Sequence, residues 1–300
     1  MISVAHLWIP FVVLASIGQT LRNAMQRGLT ASLGTVGATH IRFLFGFPFS
    51  LIFLSIVIAA THDALPTPLS AFWPWLVLGA LTQIVATALM LAAMNLRSFV
   101  VATAYTKTEP IQAAIFGFIF LADELTLLKM IAIIIATTGV VVTAIKPGGE
   151  KGFGDLKPTL LGLSAAAGFA LSAVGYRGAI LNVPGTTFVT ASSFTLALGL
   201  FLQTVTLTGY LLAFDRKTLA AIFRLWKPSM LAGFMGAFAS QFWFLSFALT
   251  AVANVRTLAL IEVLFAQGIS HYSFKQKVTP RELFGIALIV VGVGVLVAVQ

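Results

Sequence analysis

The chain has 300 residues, 59% of them hydrophobic and only 9% charged, with a mean hydropathy of +1.01. Soluble domains run about 45–50% apolar and about 25% charged, so these values argue against a water-soluble globule. The net charge of +9 then reads as a device of membrane topology and not as a nucleic-acid surface, and the absence of cysteine removes disulfides, thiolate catalysis and thiolate metal sites.

A membrane-spanning helix needs about 20 mostly apolar residues, so this length holds about ten. Apolar runs and their breakers place them near 4–27, 35–60, 70–94, 98–121, 127–145, 157–178, 186–213, 227–249, 252–273 and 280–299. The runs are continuous, as in MIAIIIATTGVVVTAI (130–145), which is the pattern of helices and not of an alternating barrel strand. The first run has neither a basic leader nor a small-residue cleavage site, so it is expected to be a retained span. The breaks carry turn chemistry: THDALPTPLS (61–70), IKPGGEKGFGDLKP (145–158), LNVPGTT (181–187), FDRKTLAAIFRLWKP (214–228) and FKQKVTP (274–280).

The longest polar break divides the chain into 1–147 and 156–300, five candidate helices each. A shift of 153 positions (262 − 109) lays Glu109 on Glu262, Thr126 on Thr279, Gly139 on Gly292 and Val140 on Val293. An odd number of helices per half turns the second half upside down. The expected fold is therefore an all-α integral membrane protein of ten transmembrane helices in a 5+5 inverted repeat, an architecture common in secondary transporters. Thirteen Lys and Arg residues lie in connections after odd-numbered helices, Arg22 and Arg27 among them. Only Lys129 and Arg177 follow even-numbered ones. That bias predicts a multi-pass inner-membrane protein with odd connections cytoplasmic and both termini on the opposite side.

Ionisable groups at a helix centre cost at least about 2.5–3.5 kcal/mol on insertion scales and face a partner, water or the bundle interior. Lys107 and Glu109, in AYTKTEPIQ (104–112), stand mid-helix, and Glu262 is at the matching depth of the second half. Two residues apart on a regular helix, at about 100° per residue, Lys107 and Glu109 would diverge. Pro110 removes a backbone donor and disfavours helical dihedrals at the residue before it, so a structural kink over 106–110 is expected to bring both charges toward one space. Tyr105, Glu109 and Gln112 would share a face if the helix stayed regular. Arg42 with His40, and Gln83 and Trp243, are further candidates for a substrate or ion path, with Gln241 and Gln267 weaker ones. Arg256, near a helix start, is expected to snorkel to the interface. Gly139 and Gly292 are expected to allow close helix packing. No HExxH, GxSxG or Walker sequence is present, and neither a cofactor nor a metal is expected.

The segment Ala102–Val142 resembles the drug/metabolite transporter superfamily, in its EamA-type domain. The likeness is carried by Pro110, then AAIFGFIFLADELT (113–126) and Gly139, by IRFLFG (41–46), and by a second copy in LIEVLFAQ (260–267), KQKVT (275–279) and Gly292. The second copy departs from the pattern, with valine for the proline and lysine for the turn glutamate. The resemblance implies a ten-helix inverted-repeat carrier with a central cavity, often an exporter of amino acids or related compounds. Several relatives have both termini cytoplasmic, whereas the lysine and arginine distribution of this chain points the other way.

Three readings stay open. The first is a secondary active transporter, exporting amino acids or related zwitterionic and polar metabolites by alternating access with proton coupling. There Glu109 and Glu262 would bind a proton or an amine, and Lys107 would bind a carboxylate or hold Glu109 charged. The second is an exporter of lipophilic cations. The third is a non-transporting membrane receptor or enzyme subunit. Partners are a small-molecule substrate, protons and membrane lipid, with no nucleic acid; the sequence gives no oligomeric state.

Overall fold

The computed structural model describes residues 6–96, 105–144, 156–264 and 279–299, and among them every regular element is helical. In chain order these are α1 (Trp8–Leu44), α2 (Gly46–Thr61), α3 (Phe72–Leu96), α4 (Glu109–Leu121) and α5 (Leu127–Ala144) in the first half. The second half has α6 (Leu156–Leu181), α7 (Phe188–Phe214), α8 (Arg216–Arg224), α9 (Trp226–Leu249), α10 (Val252–Leu258) and α11 (Pro280–Ala298), with a 3₁₀ turn at Ala259–Ile261 after α10. Six segments are long and apolar enough to cross a membrane: 28–61, 72–96, 156–181, 188–214, 226–249 and 280–298. The outward faces fit lipid, with Ile56, Phe118, Ile119 and Phe284 all exposed, while the interior is rich in Ala, Gly, Ser and Thr, which let helices approach closely.

The first two candidate helices meet differently from expectation. No loop separates them; α1 runs on past residue 27, and its helical path breaks only at Gly34, with φ 65° and ψ 179°. Glycine bears that positive φ without a Cβ clash. Phe45, between α1 and α2, keeps right-handed helical angles. The helical rods are thus 8–33 and 35–61, and Arg22, expected in a connection, lies inside a helix and is buried. The 214–228 break also holds more structure than its composition suggests. Asp215 accepts from the Thr218 N–H at 3.1 Å and caps the short helix α8.

Three helix pairs dominate the packing: α3 with α6, α1 with α9, and α5 with α11. Glycines set their distance. A Cβ on Gly139 would stand 2.6 Å from the Gly285 carbonyl oxygen and 2.8 Å from the Ile289 nitrogen, and one on Gly292 would stand 2.5 Å from the Ala136 nitrogen. Further contacts join α2 to α7 and α4 to α6 and α10. The matched threonines both cap helices: Thr126 Oγ1 accepts from the Lys129 N–H, and Thr279 Oγ1 from the Glu282 N–H within a full capping box.

On one side the 62–71 connection is pinned to the start of α7. Asp63 accepts from the Thr190 hydroxyl, from the Thr187 N–H at 3.1 Å and from the Thr187 hydroxyl at 2.9 Å. These donors, Thr190 first, hold its carboxyl below the ordinary value of 3.8. A depressed carboxylate stabilises the fold above its unfolded pKa, and that contribution is lost as pH falls through the folded value. Thermal unfolding between pH 7 and pH 3 should therefore show a shallower acid loss for Asp63→Asn than for the wild type. Equal slopes would mean that the pin contributes nothing to folding.

Candidate substrate-binding cavity

Pro110 fixes the geometry at the centre. It stands in the first turn of α4, where its missing N–H has no partner to lose. Upstream, Thr108 turns back on Tyr105, its N–H at 3.2 Å and its hydroxyl at 2.8 Å from the Tyr105 carbonyl oxygen. The helical path is open at Lys107 and Thr108. Lys107 and Glu109 are thereby freed from the divergence of a regular helix, and both line one cavity.

They do not pair with each other. Lys107 Nζ meets Glu262, and Glu109 Oε1 lies 2.8 Å from Arg256 Nε. The direct ion-pair partner of each comes from the opposite half of the chain. The expectation for Arg256 is corrected. It is buried, not snorkelling, with its guanidinium carbon 4.5 Å from the Trp243 ring centre and 5.2 Å from that of Phe247. Trp243 in turn donates its indole N–H to Gln19 at 3.1 Å. Glu262 follows directly on the 3₁₀ turn 259–261, so the second half also leaves regular α-helix beside its carboxylate, without a proline.

Two more cations face this space. Arg22 and Arg42 are 2% and 3% exposed, and both stems run over Gly236, where a Cβ would lie 3.1 Å from Arg42 Cγ and 3.4 Å from Arg22 Cδ. Arg22 donates to Asn23 Oδ1 from Nη2 at 2.7 Å and from Nε at 3.2 Å, while Arg42 Nη1 reaches Thr87 Oγ1 at 3.4 Å. Gln83, also on the cavity wall, accepts from Tyr176 and Gln203.

Residues 6–145 match the EamA-like transporter family. A solved structure described as "Crystal structure of protein", one of 27 matching chains, shares 16% identity with a TM-score of 0.69. The likeness spans 99% of this chain and 96% of that one, and at such identity it speaks for the fold alone. No curated protein matches the chain. With its long apolar helices and a transporter-family match over residues 6–145, the chain reads as a multi-pass membrane protein of transporter type.

Some expected site residues lie elsewhere. Tyr105 does not share a face with Glu109 and Gln112, because the opening at 107–108 interrupts the spacing. It packs on Gly162, and its hydroxyl accepts from Thr159 at 2.9 Å. Gln112 keeps its amide oxygen buried without a hydrogen bond among the described residues. His40 turns to Thr208, 3.0 Å away, and not to the cavity with Arg42. Gln241 donates to Ser193. Gln267 is outside the described residues. Arg22 was counted with the first connection and Gln19 was not singled out, although the apolar run 4–27 already contains both.

Proposed function

We propose that this chain is a secondary active transporter of small polar metabolites that works by alternating access of two five-helix halves, 1–147 and 156–300. The reading rests chiefly on one observation: two largely buried ion pairs, Lys107–Glu262 and Glu109–Arg256, run between the halves, and Lys107, Glu109 and Arg256 line one cavity. Rocking one half against the other must remake them. Protonation of either carboxylate would release its cation, which offers a route for proton coupling.

The helix register supports the ten-span inverted repeat. Shifted by 153, the rod 35–61 falls on α7 (188–214), α3 (72–96) on 225–249 beside α9, and α5 (127–144) on 280–297 within α11. The same shift relates Gly139 against Ile289 to Gly292 against Ala136, so the α5–α11 contact has the reciprocal form of a pseudo-two-fold. The lysine and arginine bias favours odd-numbered connections on the cytoplasmic side. A lipophilic-cation exporter fits less well, since four cations meet two carboxylates around the cavity.

The test is solute flux into proteoliposomes across an imposed pH gradient, screened over amino acids and polar metabolites. At least one solute should move, and Glu109→Gln or Lys107→Met should slow it at least tenfold. Unchanged flux in both variants would remove the site assignment, and no flux of any solute would favour a non-transporting protein.

A further inference from the structure

The charges around the cavity do not balance. Arg22, Arg42, Lys107 and Arg256 give four positive charges, and Glu109 and Glu262 give two negative ones, already taken by Arg256 and Lys107. The remaining seven acidic residues have other positions. Asp63, Asp123, Glu124 and Asp215 stand in connections and Glu282 in the first turn of α11, while Glu150 and Asp155 fall in the sequence between α5 and α6. Among the described residues, Arg22 and Arg42 are therefore two neighbouring, deeply buried guanidinium groups without a carboxylate partner. Arg22 Nη1 and Arg42 Nε are buried and make no hydrogen bond among the described residues. A buried cation in a membrane interior is retained where something anionic or water meets it. Guanidinium forks match carboxylate and phosphate oxygens through paired N–H donors.

Gly236 sharpens the point. A Cβ there would crowd the Arg42 stem and touch that of Arg22, so the glycine leaves both stems room beside each other. The opposite wall is apolar: Met90, Met94 and Phe169 line the same space.

We infer that the Arg22–Arg42 pair over Gly236 is an anion-binding site, and that the cargo is an organic anion. Its carboxylate or phosphate sits between the two guanidinium groups, and its apolar body lies along Met90, Met94 and Phe169. The inference rests on the transport reading for the word cargo, and on the geometry alone for the binding site. The two ion pairs then have a separate role, holding the halves together beside the ligand while the unpaired arginines hold the ligand itself.

The experiment measures the thermal unfolding midpoint of the purified full-length protein against four probes of one shape: benzoate, phenyl phosphate, benzamide and benzylamine. Benzoate or phenyl phosphate should raise the midpoint in a dose-dependent way, and the neutral and cationic probes should not. Arg22→Gln and Arg42→Gln should each weaken the anion's apparent affinity at least tenfold, with Arg42→Lys keeping more of it than Arg42→Gln. Stabilisation by benzamide or benzylamine equal to that by the anions would overturn the inference, as would wild-type benzoate affinity in both glutamine variants. If those variants do not fold, the selectivity of the wild type decides alone. Flux assays separate the two readings. Transport of benzylamine without benzoate would sink the anion site and leave the transporter, whereas benzoate binding with no flux of any solute would keep the anion site and sink the transporter.

Discussion

Glu262→Gln should destabilise the protein by about 3–5 kcal/mol, the usual penalty for removing one partner of a buried ion pair and leaving the other charge uncompensated. Lys107 and Glu262 are each 12% exposed at the side chain, so solvent cannot take over the lost role. Removing both charges should be milder: Lys107→Met with Glu262→Gln leaves no orphan ion, and the double variant should be more stable than Glu262→Gln alone. A double-mutant cycle on denaturant or thermal unfolding measures the coupling. The 107–262 and 109–256 couplings should both exceed the 107–109 coupling. If 107 and 109 were the most strongly coupled pair, the cross-half arrangement would be wrong and the local pair suggested by sequence proximity would be right.

The second large effect concerns backbone contact. A Cβ on Gly175 would sit 2.7 Å from the Gly79 nitrogen, 2.9 Å from the Gly79 Cα and 3.0 Å from the Trp75 carbonyl oxygen, all main-chain atoms. No rotamer change relieves such a clash; α3 and α6 must separate. Separation would also pull Ser172 Oγ from the Gly79 carbonyl oxygen it now reaches at 2.8 Å. Overpacking a core typically costs about 1–3 kcal/mol, and sometimes more. Gly175→Leu is expected at or beyond the upper end, because the neighbours are backbone. Gly28→Leu is the comparison, since a Cβ there meets nothing within 4 Å. Its thermal midpoint should stay close to the wild type while that of Gly175→Leu falls. Equal midpoints would show that the α3–α6 approach is not tight in the folded protein.

Much of the architecture was legible because apolar runs and breakers report local physics. Continuous runs gave helices, and turn residues gave most connections. Pro110 announced an opening beside Glu109, since a residue without an N–H disrupts any regular helix it enters. Gly34 was not read as the break between the first two rods because isolated glycines are common inside helices, and its positive φ depends on how the two rods pack. The 3₁₀ turn before Glu262 carries no breaker residue at all. It arises where α10 meets its neighbours, so no composition signal marked it.

By itself, then, the sequence determined that the chain is built of apolar helices of membrane-spanning type, where most of them run, and that Lys107, Glu109 and Glu262 stand in apolar segments where charge needs a partner. Which partner was decided only by the tertiary structure. Lys107 and Glu262 are 155 positions apart (262 − 107), and ion pairing depends on distance in space, which helix packing sets and sequence spacing does not. The same packing buried Arg22 and Arg42 side by side over Gly236, turning two residues that read as a loop charge and a helix start into the unpaired cations of the cavity.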